Sequence, residues 1–277
     1  MIKSFSKLNL SLKILKKFKN GMHDIESNAF LINIYDEITI KKINNFKDII
    51  SFRGPFAKMV DEEENTIKHT LEILRSKKII KNIYKITIFK KIPVFGGLGG
   101  GSSNSAFLIN YLVKRPLDKS ILKTLYKKIG SDLRLFKYDQ SFQKNLKKVI
   151  PYKKKYKIHI LLIYPKLKCS TQNIYSKVKK IKKTPYLNFS AIKTKKKLIE
   201  FLKKENNDLE SIVIKKFPKI KMIIKFIGMQ EGCNFSRITG SGSTCFGVFK
   251  NHRLAKEALI EAKKKYPNYW CEVTKTI

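Results

Sequence analysis

The chain has 277 residues, 43% of them hydrophobic, which leaves room for two compact domains and excludes wholesale disorder. No uninterrupted apolar run approaches the roughly 18 residues that a membrane helix needs, so a soluble, cytoplasmic protein with no membrane partner is expected. A formal net charge of +39 points first to nucleic acid, yet only six of the 60 basic residues are arginine, the residue best suited to bidentate recognition of phosphate and guanine. The lysines are spread along the chain beside abundant Ile and Asn, all with A/T-rich codons, so the excess reads as compositional and no specific nucleic-acid partner is expected.

In chain order, Ser4 to Ile14 alternates as a strand, with Leu8, Leu10, Leu12 and Ile14 on one face and Lys7, Asn9, Ser11 and Lys13 on the other. Asn20-Gly21 is a turn signal, and Ala29 to Ile40 a second strand. Glu63 to Arg75 reads as a helix with Ile67, Leu71 and Leu74 on one stripe, and Tyr84 to Lys91 as a strand. A glycine-rich loop runs into a helix from Ser102 to about Val113, followed by a helix from Leu117 to Ile129 that ends at Gly130. A second half begins near Pro151. It holds a strand Lys157 to Tyr164, a helix Lys195 to Lys204, and a helical stretch Asp208 to Ile227 bent or broken at Pro218. Two strands, Phe235 to Thr239 and Thr244 to Phe249, flank Gly240-Ser241-Gly242; a helix His252 to Lys265 and a strand Trp270 to Lys275 complete the chain. The pattern predicts two α+β domains in series, residues 1–150 and 151–277. Cys169, Cys233, Cys245 and Cys271 form no C-x-x-C pair, so they read as small hydrophobes, and no side-chain metal site is expected.

The segment from Pro93 to Ala106 carries the sharpest chemical signal. Gly96, Gly97, Gly99, Gly100 and Gly101 leave the backbone around Leu98 almost free of side chains, and Ser102 and Ser103 are placed to cap the helix that follows. Backbone N–H groups at a helix N-terminus suit a polyphosphate. The loop is not a Walker A loop, which needs Gly-Lys-Ser/Thr, and Ser102 stands where a dinucleotide fingerprint needs its third glycine.

This loop resembles the ATP-binding signature of the GHMP kinases, and most closely the branch that acts on a cytidine diphosphate-linked methylerythritol. Further blocks agree in order: Lys7-Leu8-Asn9-Leu10, Gly21-Met22-His23, Ile129-Gly130-Ser131-Asp132, Asn207-Asp208-Leu209 and Arg237-Ile238-Thr239-Gly240-Ser241-Gly242. The resemblance implies a ribosomal-protein-S5-like N-terminal domain, a ferredoxin-like C-terminal domain, and ATP-dependent phosphorylation of the substrate's 2-hydroxyl with Mg²⁺ carried on the nucleotide. It further implies Asp132 as general base and Lys7 as support for the reacting hydroxyl. On sequence alone Asp132 reads more often as a turn residue or helix cap, and Lys7 and Asn9 read first as the solvated face of an edge strand.

ATP contacts are implied for Pro93, Gly96, Gly97, Leu98, Gly99, Gly100, Gly101, Ser102, Ser103, Asn65 and Lys90. Substrate contacts are implied for Asn9, Met22, His23, Tyr175, Gly240, Ser241 and Gly242. Two departures stand out: Met22 replaces a tyrosine expected to stack on cytosine, and Arg134 replaces a proline, adding a cation near the phosphates or altering the turn. Another GHMP kinase, of mevalonate or homoserine type, and a basic RNA-binding protein remain as alternatives.

Overall fold

The computed structural model describes residues 1–19, 21–178 and 192–277; Asn20 of the expected Asn20-Gly21 turn lies outside them. The chain divides into two compact units. The first comprises Met1–Lys7, Ile34–Val94 and Gly99–Lys137, and the second Leu8–Asn33, Phe95–Leu98 and Tyr138–Ile277. The two are thus interleaved in sequence, where the sequence reads as a single cut after residue 150. The reason is length: strands β1 (Ile2–Lys17) and β2 (His23–Ile43) outrun the predicted ones, and each contributes its two halves to different units.

In the first unit, β2 pairs antiparallel with β4 (Ile83–Phe89) from Glu37↔Phe89 to Ile43↔Ile83, and β3 (Ile49–Arg53) pairs in parallel with β4. The parallel step is made by helix α1 (Thr66–Ser76), whose Ile67, Leu71 and Leu74 pack on Ile38, Ile86, Ile88 and on Leu108 of helix α2 (Gly100–Leu112). Helix α3 (Lys119–Lys128) follows, closed by Gly130 at φ 128, whose N–H donates to the Tyr126 carbonyl.

In the second unit, β5 (Gln140–Gln143) pairs antiparallel with β2, from Ser27↔Gln143 to Phe30↔Gln140, and with β6 (Val149–Pro151). A separate four-stranded antiparallel sheet has the order β10-β7-β9-β8. Its strands are β7 (His159–Tyr164), β8 (Cys233–Ile238), β9 (Cys245–Phe249) and β10 (Trp270–Lys275). Helices α4 (Thr171–Ser176), α5 (Lys195–Lys204), α6 (Glu210–Lys216), α7 (Lys219–Gly228) and α8 (His252–Lys265) complete the unit. Pro218 separates α6 from α7, as its missing N–H and ring geometry require. The core joins Leu161 and Ile163 to Val213, Ile223, Ile227, Leu254 and Ala258. The four cysteines are free, and burial raises Cys169, Cys233 and Cys271 each to about 11, which keeps them as inert thiols. Among the described residues no helix is long and apolar enough to cross a membrane.

The polar face of β1 departs most from its solvated reading. Lys7, Asn9, Ser11 and Lys13 are buried, like the leucines between them. Buried polar groups need partners, and tracing those partners leads to the site.

Candidate active site

The first unit holds one constellation. Lys7 Nζ stands 3.4 Å from Asp132 Oδ2, with Lys7 buried and the Asp132 side chain 31% exposed. The two residues are brought together from opposite ends of the unit's sequence by β1 and by the 3-10 turn Ser131–Lys137 after α3. Gly99 is the N-cap of α2 at φ 71, and a Cβ there would come within 3.0 Å of the Lys7 stem and 3.2 Å of the Phe136 ring. Only glycine lets the loop lie this close to Lys7 in this left-handed conformation.

The expectation that Ser102 and Ser103 cap this helix is corrected. The helix begins at Gly100, no side chain caps it, and both serines sit inside its first turn. Ser103 Oγ instead donates to the Phe5 carbonyl at 2.6 Å and contacts Ser4 Oγ, also at 2.6 Å, which ties α2 to β1. The uncapped N–H groups at the N-terminus of α2 remain donors suited to an anion.

Lys90 and Asn65 are engaged within the frame of the loop. Lys90 is buried in an ion pair with Asp36 and donates to Asn104 Oδ1 at 2.9 Å. Asp36 also accepts from the N–H groups of Lys91 and Ile92 at 2.7 and 2.9 Å and from Asn104 Nδ2 at 3.0 Å. One carboxylate therefore holds both the chain entering the loop, just before buried Pro93, and the second turn of α2 leaving it. Asn65 is the N-cap of α1, accepting from the Lys68 N–H at 2.9 Å and donating to the Glu62 carbonyl at 2.8 Å. The Arg134 guanidinium lies 3.7 Å from the centre of the Tyr126 ring.

The second unit holds the front of the glycine loop. Gly96 O accepts from the Thr244 N–H at 3.3 Å, and Leu98 is fully buried. Gly97, at φ 74, is so close to the Gly240 turn that a Cβ would run into the Thr239 carbonyl oxygen and lie 2.9 Å from Gly242 O. That turn is fixed from three sides. Asn207 Nδ2 donates to the carbonyls of Ile238 and Gly240 at 3.1 and 2.8 Å. Ser241 Oγ meets Thr171 Oγ1 at 3.0 Å, and Thr239 Oγ1 accepts from the Asn9 N–H at 2.9 Å. The Asn9 side chain donates to Ser27 Oγ at 2.7 Å. Residues 9, 96–98 and 239–242, far apart in sequence, are therefore brought together.

His23 and Tyr175 form the other end of this unit's constellation. Their rings lie 5.3 Å apart at a 41° tilt, and His23 Nε2 is buried with no hydrogen-bond partner among the described residues. Burial, reinforced by Lys17, lowers the His23 pKa, so the ring is neutral at neutral pH. Met22 is 46% exposed beside it.

Sequence reasoning missed Asp36, Asn104 and Ser4 as supports, and assigned Asn207 no role. A charged residue at an inward strand position, as in Ile34-Tyr35-Asp36, was the available signal for the first.

The first unit's part of the loop fits a polyphosphate, because Gly99, where a Cβ would crowd Lys7 and Phe136, leads into an uncapped helix end. Among the described residues no group of three or more His, Cys, Asp or Glu side chains is placed to hold a metal ion.

Comparison with known proteins agrees with this geometry. The family model of the GHMP kinase C-terminal region matches residues 190–268. The chain is 37% identical to the 4-diphosphocytidyl-2-C-methyl-D-erythritol kinase of Pelagibacter ubique (strain HTCC1062), over 100% of this chain and 98% of that one. It is 29% identical to the enzyme of the same name from Wolbachia pipientis wMel, covering 97% and 96%. In fold it is similar to a crystal structure of 4-(cytidine 5'-diphospho)-2C-methyl-D-erythritol kinase, with TM-score 0.73, 21% identity, and 100% and 99% of the two chains covered. It is also similar to a crystal structure of mevalonate kinase, with TM-score 0.64 and 17% identity over 99% and 98%. With full-length identity of this order, the chain belongs to the 4-diphosphocytidyl-2-C-methyl-D-erythritol kinases of the GHMP kinase family.

Proposed function

We propose that this kinase transfers the γ-phosphoryl group of ATP to the 2-hydroxyl of 4-diphosphocytidyl-2-C-methyl-D-erythritol, a step of non-mevalonate isoprenoid precursor synthesis. The observation that carries the reading is the Lys7–Asp132 pair at 3.4 Å, next to a glycine N-cap that only an unsubstituted backbone satisfies. Asp132 takes the proton of the attacking hydroxyl, and the Lys7 ammonium favours the charge that develops on that oxygen. The new O–P bond forms as the bond to the leaving ADP oxygen breaks. Phosphoryl transfer asks mainly for in-line positioning and charge neutralisation. Mg²⁺, carried in with the nucleotide, would supply part of that neutralisation.

Gly99, Gly100 and Gly101, with the α2 N-terminus, form the phosphate cradle of the first unit; within the second, Gly97 lies against the turn of Gly240, Ser241 and Gly242. Lys90 and Asn65 act through the frame, given the partners that both already have. Asn9 places the polyol end of the substrate, and His23 reads the cytosine edge with its unpartnered Nε2.

The test is a phosphorylation assay offering the cytidylated substrate, mevalonate and homoserine side by side with ATP and Mg²⁺. Turnover of the cytidylated substrate at least tenfold above the other two is expected; preference for either rival overturns the assignment.

The base-stacking part has its own test. Met22 is exposed enough to admit a larger side chain, so Met22→Tyr adds a second aromatic face for the base. One such contact contributes roughly 0.5 to 1.5 kcal/mol, or about a 2- to 12-fold lower KM for the cytidylated substrate. kcat stays near its original value, since stacking is similar in ground and transition states. Tyr175→Ala moves KM upward. An unchanged KM in both variants would show that neither residue touches the base.

A further inference from the structure

Gln143 is the last residue of β5, fully buried, and among the described residues neither its Nε2 nor its Oε1 has a hydrogen-bond partner. A buried amide with both ends unmet is destabilising relative to a satisfied one. An apolar side chain of the same size avoids that cost. The cause is not a loose backbone, because Gln143 is registered against Ser27 on one side and Val149 on the other.

Its surroundings give the amide a direction. Residues directly opposite in an antiparallel pair project on the same face, so Gln143 shares its face with Ser27. The Ser27 hydroxyl donates to the Ser11 carbonyl at 2.6 Å and accepts from Asn9 Nδ2 at 2.7 Å, so its one proton is already committed. His23 lies on the same alternation of β2 and carries the other orphaned polar atom of that strand face, Nε2. This strand face thus carries Asn9's partner, the cytosine-reading histidine and an unpaired amide.

Resting on the reading above, we propose that Gln143 is a specificity-determining residue that hydrogen-bonds the hydroxyl groups of the substrate's polyol moiety. An amide with an open acceptor and open donors complements a polyol, in which every hydroxyl both donates and accepts. The polyol is favoured over the base by position. Gln143 stands opposite Ser27 and its Asn9 contact, whereas His23 is four residues further along β2, about 13 Å at the usual strand rise. A site whose polar groups are met only by the correct ligand discriminates strongly against analogues that lack the matching hydroxyls.

The experiment uses Gln143→Met, which keeps the length of the side chain and removes the amide, with Gln143→Leu as a second apolar variant. KM for the cytidylated substrate, KM for ATP, the inhibition constant of cytidine diphosphate and Tm are measured for each. The expected result is a KM for the cytidylated substrate raised about 5- to 50-fold, with KM for ATP and inhibition by cytidine diphosphate unchanged. Tm is equal or higher, since an orphaned amide has been removed. An unchanged KM with a raised Tm would reduce Gln143 to an unsatisfied core residue and overturn the proposal. An equal loss in cytidine diphosphate inhibition would place the contact on the nucleotide half and overturn the polyol assignment. Should neither apolar variant fold, Gln143→Asn keeps the amide but withdraws it by one methylene. The same split in KM is expected there, and its absence counts against the proposal. Wild-type protein that leaves the cytidylated substrate unphosphorylated would strike the parent reading instead, before any variant is made.

Discussion

Asp132→Asn lowers turnover by about 10²- to 10⁴-fold, the range that general-base catalysis contributes, while KM for ATP stays near its wild-type value. The asparagine keeps the shape of the carboxylate but has no basicity to accept the hydroxyl proton. Because the Asp132 side chain is 31% exposed, its contribution to stability through Lys7 is screened, and the Tm of the variant should shift little. The loss is therefore read in kcat and not in folding. Lys7→Met lowers kcat through the same step, as it removes the ammonium that stabilises the developing oxyanion. Groups that act as a unit are strongly non-additive, so the double variant falls little further than the weaker single one. A single-turnover measurement with ATP in excess isolates the step. Near-normal turnover of folded Asp132→Asn protein would remove this residue from the mechanism.

Gly97→Ala is expected to lose at least about 10²-fold in kcat/KM for ATP, because the added methyl has nowhere to go. Gly97 has a φ of 74, where an L side chain costs roughly 1 to 2 kcal/mol before any contact is counted. The new Cβ then meets the Thr239 carbonyl oxygen, Gly242 O at 2.9 Å and Gly242 N at 3.2 Å. All three are backbone atoms, and the turn that carries them is pinned by Asn207, Thr171 and the Asn9 N–H. No rotamer change relieves the clash, so loop and turn must separate. Each kcal/mol lost lowers Tm by about 2 to 4 °C in a chain of this size. Thermal melts and the KM for ATP, measured together, check this; a wild-type value in both would mean that the loop and the turn are not in register as described.

The elements that the sequence determined are those with a local cause. The predicted bounds of α5, α8 and β10 coincide with the observed ones. For the two helices the reason is a side-chain cap at the start, Thr194 accepting from the Lys197 N–H and Asn251 from the Leu254 N–H, followed by an amphipathic repeat. The glycine loop was equally legible, because close backbone approach and positive φ demand a residue type that can be read at the position itself. Strands β3, β5 and β6 were not legible. They have five, four and three residues, too few for alternation to register; β3 and β5 exist through pairing with distant segments, and β6 pairs in turn with β5.

The identity of the candidate residues was likewise written in the motifs, but their states were not. Alternation placed Lys7, Asn9, Ser11 and Lys13 on one polar face, and could not say that this face is buried, which depends on partners elsewhere in the chain. Lys90 reads as a lysine beside an ATP loop. That its charge is instead held by Asp36, 54 residues away, follows from the pairing of β2 with β4. Gln143 is an unremarkable polar residue in sequence, and only the register of β5 against β2 places it opposite Ser27 with its amide unmet. Local backbone chemistry sets which residues stand ready for a reaction; the desolvation and pairing that give each its role are non-local, and the tertiary structure alone decided them.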